Sequence, residues 1–156
     1  MTAQATEKLY YEGLKVGMCS EPLELYFLFS GESPKFDSHC SGLWRGYVGT
    51  WKIKDGRLYL IELQGWLEDG NNVTLATLFP DFPDRVFAHW YSGTIRIPQG
   101  KILNYVHMGY ESTYEKDILL KIEKGVVTDT TVRYNGTSNE PDAAESYGIS
   151  TMARSK

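Results

Sequence analysis

Cysteine is almost missing. Cys19 and Cys40 are the two in 156 residues, too few for a small secreted fold that depends on disulfides. No apolar run approaches the roughly 20 residues of a membrane-spanning helix. The opening MTAQATEKLYYEGLK lacks the apolar centre of a signal peptide. Together these absences predict a cytoplasmic protein with two reduced thiols and no membrane partner. Lysine and arginine form no run, and the formal net charge is −4. Both argue against a nucleic-acid partner, which needs a clustered basic surface.

Chemistry-bearing motifs are scarce too. The three histidines are His39, His89 and His107, and with the cysteines they follow no metal-ligand spacing, so neither a metal nor another cofactor is expected. Ser38-His39-Cys40 sets a nucleophile beside a base in sequence, but adjacent loop residues point apart, whereas catalytic groups are assembled across a fold. No glycine-rich loop opens a helix, and no carboxylate pair stands out. Catalysis is therefore unsupported and no catalytic residue is assigned. Asn72-Val-Thr74 and Asn135-Gly-Thr137 match the glycosylation pattern but read as turn chemistry.

What the chain does have is aromatic and β-branched residues in alternating segments separated by turn dipeptides. KLYYEG and LKVGM are the first strand candidates. PLELYFLF, from Pro22, fits one or two helical turns or a buried strand, and 30–42 is a loop by composition. Leu43–Lys54 and Arg57–Leu67 meet at Asp55-Gly56, a strong two-residue hairpin signal. VTLATLF is ambiguous. Val86–Ile97 and Lys101–Met108 flank a turn at IPQG, and Lys124-Gly125 joins a last pair of strands. The fold class that follows is all-β: an antiparallel sandwich or barrel of about nine short strands with one or two short helical turns. Residues 1–135 form a single domain, and 136–156 form a polar tail that is mobile or docked.

Strict alternation from Asp55-Gly56 pairs Lys54 with Arg57, Lys52 with Tyr59 and Trp51 with Leu60. Continued, it sets Arg45, Tyr47, Glu62, Gln64 and Trp66 on one face, with Gly46 opposite Gly65. That face is apolar near the turn and polar-aromatic further along, so the ribbon must twist or bury both sides. Buried charges need partners or a ligand, although Arg45 and Glu62 are also near enough to pair with each other. A turn at Pro98–Gly100 sets His89, Tyr91 and His107 on one face and Trp90 on the other, whereas a two-residue turn there would move His107 away from His89.

LWRGYVGTWKIKDGRLYLIEL and VFAHWYSGTIRIPQGKILNYVHMGYESTYEKDILLKIEKG, with the earlier EGLKVGMCSEPLELY, resemble a family of small bacterial proteins without an assigned function. The resemblance runs over residues 8–126. It implies a bacterial or mobile-element cytosolic origin and no particular activity. YVGTW is similar to the Gly-x-Trp strand of lipocalins and fatty-acid-binding proteins, which implies a β-barrel with a small-molecule cavity.

The expected function is non-catalytic binding of a small molecule in a polar-aromatic pocket formed by Arg45, Tyr47, Glu62, Gln64, Trp66, His89, Trp90, Tyr91 and His107. The alternatives are a protein-partner module, such as an immunity protein, toxin inhibitor or phage-related factor, and an enzyme that uses a histidine base. The oligomeric state is left open.

Overall fold

The computed structural model of the protein describes residues 6–31, 33–37, 43, 45–104 and 113–137. His39, Cys40, Trp44 and His107 lie outside the described residues, as does the expected tail from residue 138 onward. The chain runs β1 (Glu7–Tyr11), β2 (Leu14–Met18), α1 (Pro22–Ser30), β3 (Tyr47–Lys54), β4 (Arg57–Trp66), β5 (Asn72–Thr74), α2 (Leu75–Leu78), β6 (Val86–Phe87), β7 (Gly93–Asn104), β8 (Thr113–Glu123) and β9 (Val126–Tyr134). This is the expected all-β fold, with nine strands in one sheet among the described residues. No helix among the described residues is long and apolar enough to cross a membrane.

Local chemistry sets the hairpins. Glu12-Gly13, Asp55-Gly56 and Lys124-Gly125 each place two successive residues at positive φ, between 48° and 83°. This is the type I′ turn, whose twist matches that of the strands it joins. PLELYFLF is a helix rather than a strand. Pro22 occupies its first turn, where a missing N–H costs nothing. Gly31, at φ 75°, ends it by donating its N–H to Phe27 O.

The strand order is β2-β1-β3-β4-β9-β8-β7, with β5 and β6 also on β4. One pairing corrects the purely antiparallel expectation: β1 runs parallel to β3. α1 lies in the crossover between the β1–β2 hairpin and β3, and parallel neighbours require such a connection. The path is open, but its ends come together, because Cys19 N–H donates to Arg96 O at 2.8 Å and Ser20 Oγ to Thr94 O at 3.1 Å. The result is barrel-like, around a core of Leu9, Trp51, Leu58, Leu60, Ile95, Ile97, Leu120 and Ile122.

The Asp55-Gly56 register holds from Lys54–Arg57 to Trp51–Leu60 and then shifts by one residue, Thr50 facing Glu62. Ile61 is the extra residue of a bulge. The shift removes the apparent change of face, because Leu63 and Gly65 continue the inward side begun by Leu58 and Leu60 while Glu62 and Gln64 turn out to solvent. The IPQG hairpin does not form. β7 passes straight through Pro98–Gly100 and pairs with β8 from Gly93–Ile122 to Asn104–Thr113. Pro98 shares strand parity with Arg96, whose carbonyl points away from β8 to Cys19, so its missing N–H removes no β7–β8 bond. Gly100, at φ 82°, forms a bulge. The predicted alignment of His89, Tyr91 and His107 rested on that turn, and His107 lies outside the described residues.

Candidate functional site

The expected pocket is divided among four places. Arg45 and Tyr47 meet beneath α1. Arg45 Nη2 donates to Glu7 Oε2 at 2.7 Å, its Nη1 is 3.8 Å from Glu21 Oε2, and its guanidinium lies 5.4 Å from the Tyr47 ring centroid. Glu7 is fully buried. It also accepts Gly49 N–H at 2.8 Å and Trp51 Nε1–H at 3.1 Å. A Cβ on Gly49 would stand 2.6 Å from Glu7 Oε1, so glycine is there because the carboxylate fills that space. Burial pushes the Glu7 carboxyl above its usual value, against the pull of Arg45 and of the two N–H donors. Tyr47 donates its hydroxyl to Glu24 on α1, and burial, with the charges of Glu7 and Glu24, drives its phenol far above the ordinary range.

Arg45 thus pairs with Glu7 and not with Glu62, which lies on the outside. The space left by Gly46 and Gly65 is taken by Phe36, whose atoms a Cβ would meet at 2.7 and 2.9 Å. Glu62 and Gln64 border an open cleft of about 420 Å³ together with Thr74, Leu75, Ala76 and Pro83. Trp66 ends β4, half-buried. Trp90 anchors α1: its Nε1–H donates to Pro22 O at 2.8 Å, and its ring packs on Tyr26 and Phe79 at 5.0 and 6.1 Å. Tyr91 is buried, and His89 is exposed between Phe87 and Trp90.

A second buried carboxylate holds the β7–β9 side. Asp117 accepts Arg96 Nε–H at 2.9 Å, Arg133 Nη2–H at 2.6 Å and Asn135 Nδ2–H at 3.1 Å. Burial opposes its ionisation, but these donors prevail and hold its carboxyl below the usual value. A depressed folded-state pKa contributes stability above the unfolded value near 4, and that stability is lost as pH falls through the folded pKa. Urea titrations between about pH 2 and pH 5 should show this acid limb, and Asp117→Asn should flatten it.

Sequence reading missed a row on the outer face of the sheet. Lys15, Tyr10, Lys52, Tyr59 and Phe87 are successive register partners across β2, β1, β3, β4 and β6, so their side chains share one face, cation and ring alternating as far as Tyr59 with Phe87 a second ring beside it. Lys15 Nζ lies 5.7 Å from the Tyr10 centroid, Arg85 Cζ 4.5 Å from Tyr59 and Arg57 Cζ 5.6 Å from Phe87. Lys54 faces Arg57 in the adjoining row. The Lys52–Tyr59 and Lys54–Arg57 pairs were readable from the hairpin. The parallel β1–β3 contact and the two-residue strand β6 carry no such local signal.

Among the described residues, no cluster of three His, Cys, Asp or Glu is placed to hold a metal ion. Comparison with family models, curated proteins and solved structures gives no match.

Proposed function

We propose that the protein is a non-catalytic, cytoplasmic binding module that holds an anionic ligand on the outer face formed by β2, β1, β3, β4 and β6. One observation carries this reading. The arginines that tie the fold together, Arg45, Arg96 and Arg133, each meet a carboxylate. Among the described residues, Lys15, Lys52, Lys54, Arg57 and Arg85 meet none within ion-pair distance and face rings or one another. Lys54 opposite Arg57 is a like-charge cross-strand pair, which costs stability and which a bound anion would relieve. Arg45 and Tyr47, central to the expected pocket, are engaged by Glu7 and Glu24, so the reading moves from an enclosed pocket to an open surface. Calorimetric titration with inorganic polyphosphate at low ionic strength tests it. Binding that weakens with added salt and is lost in Lys54→Glu/Arg57→Glu is expected, and no heat of binding in the wild type would end the reading.

A second reading, a protein-partner surface, is favoured by α1. Leu28 and Phe29 are 71% and 67% exposed, next to a cleft of about 410 Å³ lined by Tyr26, Phe27, Ser30, Ser33, Pro34 and Leu78. Exposed apolar side chains so close together mark interaction surfaces. Leu28→Ser/Phe29→Ser should leave unfolding stability within about 0.5 kcal/mol and abolish any partner contact made through α1, as read by cross-linking in host lysate.

A further inference from the structure

We infer that the anionic ligand of this face is single-stranded nucleic acid, with bases stacked on the ladder rings and phosphates on the cations between them; the inference rests on the anion-binding reading above. A polyanion without bases needs only positive charge. Here three of the five positions of the row are aromatic rings: Tyr10 between two lysines, then Tyr59 and Phe87 side by side. Rings set among cations are the combination single strands require, a line of charge for the backbone beside stacking surfaces for the bases.

The row spans roughly 19 Å at the usual strand spacing, enough for a few nucleotides. Its two ends differ. Tyr59 and Phe87 lie 5.8 Å apart, and each carries a guanidinium over its ring, from Arg85 and Arg57. A guanidinium plane is itself a surface on which bases stack. Tyr10, at the other end, is flanked by Lys15 and Lys52, which suits a more loosely held nucleotide. Charge also fixes the side along which the backbone runs. The neighbouring row of Gly17, Lys8, Thr50 and Glu62 is neutral, whereas the row toward the hairpin tip sets Lys54 beside Arg57. The phosphates therefore follow the Lys52–Lys54–Arg57 side.

The expectation that nucleic acid is not a partner rested on the lack of a basic run in an acidic chain. Strand register supplies the clustering instead: Lys15, Lys52, Arg57 and Arg85 come from four different strands or loops, and no two of them are adjacent in sequence.

The experiment is fluorescence anisotropy on the full chain with labelled oligothymidylate, its unlabelled duplex and inorganic polyphosphate as competitors. The expected result is saturable binding with a log–log salt slope of about −2 to −4, and competition by polyphosphate weaker than by unlabelled oligothymidylate. Tyr59→Leu, which keeps the half-buried position apolar, should weaken oligothymidylate by roughly 5- to 100-fold. Tyr10→Leu serves as the second variant if Tyr59→Leu fails to fold. If single strand, duplex and polyphosphate compete equally and the tyrosine variants change nothing, the nucleic-acid inference is overturned while the anion-binding reading stands. If nothing binds even at low salt, both fall.

Discussion

Arg45→Met is expected to destabilise the protein by about 3–5 kcal/mol, the cost of removing one partner from a buried ion pair. The side chains of Arg45 and Glu7 are 6% and 0% exposed, so water cannot replace the lost guanidinium. The two remaining donors, Gly49 N–H and Trp51 Nε1–H, cannot neutralise a carboxylate. The loss has a pH signature. Burial already raises the folded-state pKa of Glu7, so its protonation favours the fold, and stability declines as pH rises from the unfolded value near 4.3 through the folded value. Without Arg45 the folded value rises further and the decline extends to higher pH. Arg45→Met should therefore be closest to wild type near pH 4 and furthest from it near pH 7. Glu7→Gln/Arg45→Met removes the stranded charge yet keeps an acceptor for Trp51, and should recover much of the loss. Denaturant midpoints at the two pH values decide the matter: a pH-independent deficit, or a double variant no better than Arg45→Met, would mean that Arg45 acts by packing and not by charge.

The same network shows what the sequence made legible. Trp51, Leu58 and Leu60 could be assigned to the core from Asp55-Gly56 alone, because a type I′ turn fixes register and alternation does the rest. Arg45, Tyr47, Glu62 and Gln64 stood out together as polar groups the ribbon could bury; Arg45 and Tyr47 are buried, whereas Glu62 and Gln64 are exposed. The partners of the buried two were not found: Glu7 falls one residue before the strand candidate KLYYEG, and it shares parity with the inward Leu9 only because β1 begins at Glu7. A carboxylate just ahead of a candidate strand was the available signal. The bulge at Ile61 had none. It depends on whether Leu63 or Glu62 follows Leu60 into the core, a choice made by burial across the whole sheet. IPQG misled because its turn composition serves a G1-like bulge equally well when β8 is there to pair with it. The basic ladder was invisible for a topological reason. Local hairpins can be read from turns, whereas the β1–β3 and β4–β6 contacts join segments about 40 and 27 residues apart, and nothing short-range encodes such pairings.

Those long-range joints lead to the last expected result: Gly125→Ala should cost about 2–4 kcal/mol, while Gly56→Ala should cost only about 1–2 kcal/mol. Both glycines are the second residue of a type I′ turn, at φ 83° and 74°, so the backbone penalty for an L-residue is nearly the same. Their surroundings differ. A Cβ at Gly56 meets nothing within 4 Å, whereas one at Gly125 stands 2.6 Å from Ala88 O and 2.8 Å from the Phe87 ring. Gly125 must lie that close because it joins the two halves of the sheet. β4 and β9 share one register pair, Arg57–Val126. The joint is completed by Leu58 N–H to Gly125 O at 2.8 Å, Gly125 N–H to Tyr91 O at 2.9 Å and Val127 N–H to Gly56 O at 2.8 Å. An added methyl group pushes against a backbone carbonyl, which cannot rotate away, and displaces the ring at the end of the ladder. Gly125→Ala should thus weaken anion binding as well as stability, while Gly56→Ala changes stability alone. Equal thermal shifts in the two variants would mean that only φ matters there and that the β4–β9 joint tolerates the extra atom. A larger shift at Gly125 together with intact binding would separate the joint from the binding face.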